Sequence, residues 1–519
     1  MSSLDILIFI AYGLVILLVG NFLHRSKEKE NSSSNYFFAS NSLPWYLIGT
    51  SIIAANISAE QFIGMSGSGY AIGLGIATYE WIAALILIVV AKYFLPILIK
   101  NEIYTMPQFM AYRYDNRIKT ILAVFWIALF VLVNITSILY LGALTIKILL
   151  DIPLIWAIVG LAVFTLLYSV FNGLKAIAST DIIQVFFLVS GGLMTTYLAL
   201  NATSDGNGII EGFKIIANEA PEKLHMIIKS SDPNFTYLPG WRAIFGGIWI
   251  AGIYYFGANQ YIIQKALGAK NLREAQRGMA FAGFLKVLIP LIVVVPGIAA
   301  FVLDAKIDTP DGAYPWLLNT FIPSGFKGFI FAALIAAIVS SLSAIINSTS
   351  TIFTMDIYKN FFHKTASEKQ LVKTGRLSGV LAMIIAASVA PLLGRVEQAF
   401  QFIQEFTGML SPGITAIFIL GLFWKKTTSN AAFFGIIISL PASIFLKFVF
   451  PAMPFLDKML CAFLFTSFFM VVWSLLEGRM KTYPKAINVD KRMFKTDRVF
   501  NMVSIGIFIM LLALYIVFW

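Results

Sequence analysis

Residues 51–70 read SIIAANISAEQFIGMSGSGY, and the behaviour of that stretch inside a bilayer decides the fold. It belongs to an apolar span near 45–67, long enough to cross a hydrocarbon core that takes roughly 20 residues. Yet it carries Ser51, Asn56, Ser58, Glu60, Gln61, Ser66 and Ser68 among Gly64, Gly67 and Gly69. Polar and ionisable groups at membrane depth are costly and face a cavity or a solute path. A helix interrupted there frees backbone carbonyls, which hydrocarbon tolerates only against a protein cavity or an ion. A plainer reading has small residues packing helices closely and polar side chains bonding between them. It accounts for the glycines and serines, but not for Asn56, Glu60 and Gln61 together. The stretch predicts a broken helix that carries a binding site.

Composition sets the class around it. The chain has 519 residues, 59% of them apolar and 12% charged, with a mean hydropathy of +0.83. Soluble domains carry about 25% charged residues, so an integral membrane protein is expected. A net charge of +12 would suit nucleic acid, but the basic residues lie in short loops between apolar spans. There they set topology, and no nucleic-acid partner is expected. Cys461 is the only cysteine, which excludes an intramolecular disulfide and a cysteine metal site. The first apolar run begins almost at Met1, with no small-residue cleavage site before Arg25, and reads as a retained helix rather than a signal peptide.

Apolar spans fall near 4–23, 45–67, 73–99, 117–149, 153–172, 176–200, 240–264, 278–303, 327–357, 375–394, 398–423, 428–449, 456–476 and 499–519. This predicts an all-α protein with about 14 transmembrane helices. The runs at 117–149 and 327–357 are long for one crossing, so tilt or a helical extension is expected. Most of the 38 Lys and Arg residues fall on one side: Arg25 to Lys29, Lys100 to Lys119, Lys175, Lys265 to Arg277, Lys359 to Arg376, Lys425 with Lys426, and Arg479 to Arg498. The positive-inside rule makes that side cytoplasmic and places both termini outside the inner membrane. The polar segment from Asn201 to Asn234 is the longest soluble piece and has room for a short helix.

Two constellations carry chemistry. In the span 327–357, Ala337, Ser340 and Ser341 share one helical face, with Ser343 nearby. Hydroxyls facing the carbonyls of a broken helix suit a hard cation such as Na+. Asn56, Gln61, Glu80, Lys286 and Gln404 are polar side chains on four separate apolar spans. Lys286 is flanked by apolar residues on both sides, so it demands a partner such as Glu80, or else snorkels to an interface.

The run AANISAEQFIGMSGSGY with YEWIAA (79–84) resembles the sodium/solute symporter family, nearest its bacterial sodium/galactose branch. So do TDIIQVFFLV (180–189), NQYIIQKAL (259–267), AAIVSSLSAIINSTSTIFTMDIYK (336–359), AFQFIQEFTG (399–408) and GLFWKKTTS (421–429). The resemblance implies a LeuT-like core of two inverted five-helix repeats, 45–235 and 236–423, with broken first and sixth core helices. An extra helix and loop (1–44) would precede the core and three helices (424–519) follow it. It implies a sodium site from the carbonyls of Ala54, Ile57 and Ala337 and the hydroxyls of Ser340 and Ser341, with Na+ the coupling ion and no other cofactor. It implies sugar contacts from Asn56, Gln61, Glu80, Lys286 and Gln404, Tyr255 as an inner gate stacked on the sugar, and Met65, Tyr79 and Phe400 as the outer gate. Asp181, Ser340 and Ser343 match a second sodium site of some relatives, but Ala344 departs from it.

Three further departures bear on substrate: Ala83, Gly252 and Phe256 stand where the galactose branch has serine, asparagine and tryptophan. The first two remove hydrogen-bonding groups, which changes selectivity strongly. The implied activity is sodium-driven import of a monosaccharide such as galactose or glucose, without covalent chemistry. The alternative is another solute, such as a polyol, sialic acid or amino acid. A membrane enzyme is disfavoured because His24, His225 and His363 lie in or near loops and no HExxH occurs. A channel would show repeated filter sequences or charge rings.

Overall fold

The structure, a computed structural model, describes residues 2–25, 37, 39–169, 174–395, 399–477 and 484–519. Most of the Ser-rich loop after α1 and the segment 478–483 lie outside the described residues. Helices dominate, and strand-like pairing among the described residues is one parallel bridge between Leu43 and Ala269. Among the described residues, ten helices are long and apolar enough to cross a bilayer, which makes this an all-helical, multi-pass membrane protein. The helices that build and support the site are α1 (Ser3–Arg25), α2 (Trp45–Asn56), α3 (Glu60–Met65 continued by Ser66–Ala71) and α4 (Leu74–Lys100). They continue with α5 (Asn116–Leu150), α6 (Leu174–Thr203), α7 (Gly247–Ala258), α8 (Gln260–Leu267) and α9 (Leu272–Val302). The last three are α10 (Phe326–Phe362), α11 (Ala399–Phe423) and α12 (Arg498–Val517).

The break in the quoted stretch is present. α2 ends where Ile57 turns extended (φ −80°, ψ 102°), and α3 begins in a π-helical turn. Local chemistry restarts the helix. The Ser58 hydroxyl accepts from the Glu60 N–H at 3.1 Å, and the Gln61 side-chain oxygen accepts from the Ser58 N–H at 3.0 Å. This reciprocal S-x-x-Q pattern is how a helix start satisfies its orphan donors. A second break separates α7 from α8, where Asn259 is extended (φ −84°, ψ 122°).

The two long spans are extended helices. α5 has 35 residues with a π-helical turn at Phe130–Ile135, and α10 has 37 with a π-helical end from Ile352 to Phe362. α10 is almost wholly buried, because its run of Ala, Ser and Ile lets neighbours close around it on every side. α1 docks on it through one carboxylate: Asp5 Oδ1 accepts from the N–H groups of Gly325 and Gly328 at 2.7 and 2.8 Å. These are orphan donors at the positive end of α10. The segment 201–234 does hold a short helix, Ile209–Glu219.

Two basic residues read as loop charges are interior. Arg113 is fully buried and donates to the carbonyls of Gly421, Trp424 and Thr427 at 2.9–3.2 Å, sealing the end of α11. Lys265 is 1% exposed and paired with Asp181. Arg113 closes the helix Met106–Arg113 and Lys265 lies within α8, and in both the polar group turns inward, which hydropathy alone does not reveal.

α9 lies against both halves of the first broken helix. A Cβ on Gly297 would stand 2.0 Å from the Ser66 carbonyl oxygen, so only glycine permits that approach. Gly297→Val should therefore destabilise the protein by about 1–3 kcal/mol through overpacking. A lowered melting temperature in detergent checks this, with Gly506→Ala, where a Cβ meets nothing within 4 Å, melting like the unmodified chain.

Candidate solute and ion site

The polar residues predicted on separate spans come together. Asn56, Gln61, Glu80, Tyr255, Lys286 and Gln404 line one cavity of about 670 Å³, with Met65 and Tyr79 in the same wall. The Phe400 side chain lies outside the described residues. Ala83, Gly252 and Phe256 also face the cavity.

Lys286 and Glu80 form an ion pair across α9 and α4, with side chains 1% and 5% exposed. Lys286 does not snorkel. Its Nζ also lies 5.6 Å from the centroid of the Phe256 ring, a cation–π contact. Asn56 Nδ2 donates to the Tyr255 hydroxyl at 2.9 Å, and the Tyr261 hydroxyl donates to the same oxygen. This ties the end of α2 to α7 and α8. Tyr79 and Gln404 face the same cavity. Gln61 spends its oxygen on the α3 cap, which leaves its amide N–H groups for the cavity.

Glu60 was in the quoted stretch but not among the predicted contacts. It lines the cavity, and its Oε1 is buried without a hydrogen-bond partner, as is Asn56 Oδ1. Buried acceptors are rarely left unpaired, so these two point to a ligand bearing hydroxyl or amide donors. Its spacing from Asn56, four residues along, was the available signal. The cavity combines acceptors, amide donors, one ion pair and aromatic faces, and it can hold a polyhydroxylated solute without covalent chemistry.

The ion-site residues converge beside it. The Ser341 hydroxyl lies 3.1 Å from the Ala54 carbonyl oxygen and 3.5 Å from that of Ile57. These carbonyls have lost their helical partners because the chain leaves α2 there. Ala337 and Ser340 lie on the same buried helix, α10. The Ser340 hydroxyl donates to Asp181 Oδ1 at 2.6 Å, so its lone pairs stay available. Asp181, on α6, also accepts from the Ser51 hydroxyl and lies 3.4 Å from Lys265 Nζ. Neither Ser51 nor Lys265 was predicted as a partner. An oxygen-rich pocket of carbonyls and hydroxyls is what a hard monovalent cation requires.

The pattern that defines the sodium:solute symporter family matches residues 36–439. The chain belongs to that family. It is 50% identical over 537 aligned residues to a sodium/glucose cotransporter of Vibrio parahaemolyticus, covering 100% of this chain and 99% of that one. A human sodium/myo-inositol cotransporter 2 is 33% identical, over 83% of this chain and 68% of its own length. Among solved structures, a Na+-coupled sialic acid symporter in a substrate-bound outward-open state superposes with a TM-score of 0.80 at 22% identity, over 92% and 98% of the two chains. That likeness shows a shared fold.

The buried pair sets a measurable dependence. Lys286→Met leaves Glu80 as an uncompensated buried charge and should cost about 3–5 kcal/mol. Pairing it with Glu80→Gln should restore much of the lost melting temperature. Thermal unfolding of the single and double variants in detergent checks both.

Proposed function

We propose that this protein is a sodium-coupled symporter that imports a monosaccharide such as galactose or glucose by alternating access across the inner membrane. The observation that carries this reading is an adjacency: the ion-facing carbonyls of Ala54 and Ile57 flank Asn56, whose side chain faces the solute cavity. One unwound stretch would serve both ligands, the simplest physical basis for coupling.

In this reading Na+ sits among the carbonyls of Ala54, Ile57 and Ala337 and the hydroxyls of Ser340 and Ser341. It replaces the hydrogen bonds that Ser341 donates, and holds α2 against α10. That fixes Asn56, Glu60 and Gln61 for the solute. Asn56, Gln61, Glu80, Lys286 and Gln404 hydrogen-bond the sugar hydroxyls, and Tyr255 closes the inner side while Met65, Tyr79 and Phe400 close the outer. The repeats 45–235 and 236–423 rock about the site, α2 leaves α10, and the ion is released. Fourteen crossings with both termini outside accord with the basic loops, one helix preceding the core and three following it.

The edited wall favours a solute making few polar contacts on one side. A Cβ at Gly252 would stand 2.2 Å from Ile86 Cδ1, so Ile86 takes the space an asparagine would need, and Ala83 adds no hydroxyl. A polyol of the inositol type is a second reading, supported by the likeness to the myo-inositol cotransporter.

Uptake into proteoliposomes, across labelled hexoses and myo-inositol with and without an inward Na+ gradient, tests this. Sodium should raise the apparent affinity for one of them by roughly 5–150-fold, the usual range of coupling. Sodium-independent uptake, or uptake of none of them, overturns it. Ser341→Ala should raise the sodium concentration for half-maximal uptake roughly tenfold, equivalent to about 1.4 kcal/mol of lost binding.

A further inference from the structure

α9 and α12 leave a groove of about 1,050 Å³ between them, with Trp45 of α2 at its edge. α12 lines it with one stripe at helical spacing: Val499, Val503, Gly506 and Met510. From Val499 to Met510 the stripe runs about 16 Å at 1.5 Å per residue. That is half of a hydrocarbon core of roughly 30 Å, the depth of one leaflet. Arg277 is the one charged residue in the lining, and it closes one end. Val499 and Phe284 are 43% and 38% exposed on helices that cross the bilayer, so the groove opens to lipid.

The charged end is basic in excess. The stretches where the two helices begin, 270–277 and 495–498, hold Lys270, Arg273, Arg277, Lys495 and Arg498 against Glu274 and Asp497. Arg277 is paired with Asp497 at 2.5 Å, and Arg273, one turn away, lies 3.9 Å from the same carboxylate with its side chain 69% exposed. Glu274 is engaged elsewhere: its Oε2 accepts from the Trp45 N–H at 2.8 Å, at the start of the first broken helix. Two guanidinium groups therefore share one carboxylate at the mouth of an apolar slot. Guanidinium forks match phosphate oxygens, and basic pockets between membrane helices take anionic headgroups. Trp45 packs edge-on against Phe281, ring centroids 5.3 Å apart, as an amphipathic aromatic does at headgroup level.

We propose that this groove binds one anionic glycerophospholipid from the leaflet on the basic side. Arg273 and Arg277 hold its phosphate, and one acyl chain lies along α12 past Gly506. The site uses none of the residues of the solute cavity or the ion site, so it goes beyond the transport reading. A lipid seated there touches α2, α9 and α12 together and stabilises their packing.

The test uses the purified full chain in detergent, with phosphatidylglycerol and phosphatidylcholine of matched acyl chains as probes. Native mass spectrometry counts retained lipid, and thermal unfolding reads its effect. The chain should retain one phosphatidylglycerol in preference to phosphatidylcholine and melt at a higher temperature with it. Arg273→Gln, at an exposed position, should fold normally and lose roughly fivefold of that preference, the share of one basic residue. Gly506→Trp, at a position where a Cβ meets nothing within 4 Å, should fill the slot and abolish retention with both arginines in place. Equal retention of the two lipids, or a preference unchanged in either variant, overturns the inference. Stabilisation by inorganic phosphate equal to that by phosphatidylglycerol overturns it, because the acyl chain then contributes nothing. A dimer that Gly506→Trp dissociates gives the groove to a second copy of the chain and overturns it as well.

Discussion

Everything in this structure depends on a few peptide groups that leave the helix inside an apolar span. Away from water, a carbonyl without a partner is expensive, so residues 54–58 must be answered by something. The answers differ in kind. The Ser58 and Gln61 side chains satisfy the donors of the restarted helix, and α10 brings Ser341 against the carbonyls of Ala54 and Ile57. A hydroxyl that donates to those carbonyls can also yield its place to a cation. The interruption is thus a structural debt met by Ser341, and it sets Asn56 in the cavity wall.

Charge is sparse inside the molecule, and two buried pairs show how it is used. Glu80 with Lys286 sits in the cavity wall, joining α4 to α9, and Asp181 with Lys265, to which Ser340 of α10 also donates, joins α6 to α8. Breaking either leaves an ion in a medium that solvates it poorly. Each pair therefore fixes the relative position of two helices. The cavity wall is apolar at Ala83, Gly252 and Ile86.

Much of this was legible before any coordinates. The broken helix followed from Asn56, Glu60 and Gln61 interrupting an apolar run, and the need for a partner to Lys286 followed from its apolar flanks. Helical spacing put Ala337, Ser340 and Ser341 on one face, and the family resemblance singled out their hydroxyls and carbonyl. Glu60 was in plain view and its role was missed, because spacing does not say which of several polar residues will face an open cavity. Lys265 and Arg113 were misplaced, because a charged residue near a loop reads as topology unless the fold folds it inward.

The sequence by itself determined which segments are helical, where one helix must break and which polar groups cannot face lipid, since these follow from hydropathy, spacing and the cost of burying an unpaired group. It also named Glu80 as a partner for Lys286, but which polar groups meet was otherwise decided only by the tertiary structure. Asp181 lies 84 residues from Lys265, and Glu80 lies 206 residues from Lys286. Pairing at such separations is set by how α10 and α9 pack against the broken helix, through close approaches such as that of Gly297 to Ser66. Packing is a property of shapes brought together in space, and no local pattern in the chain encodes it.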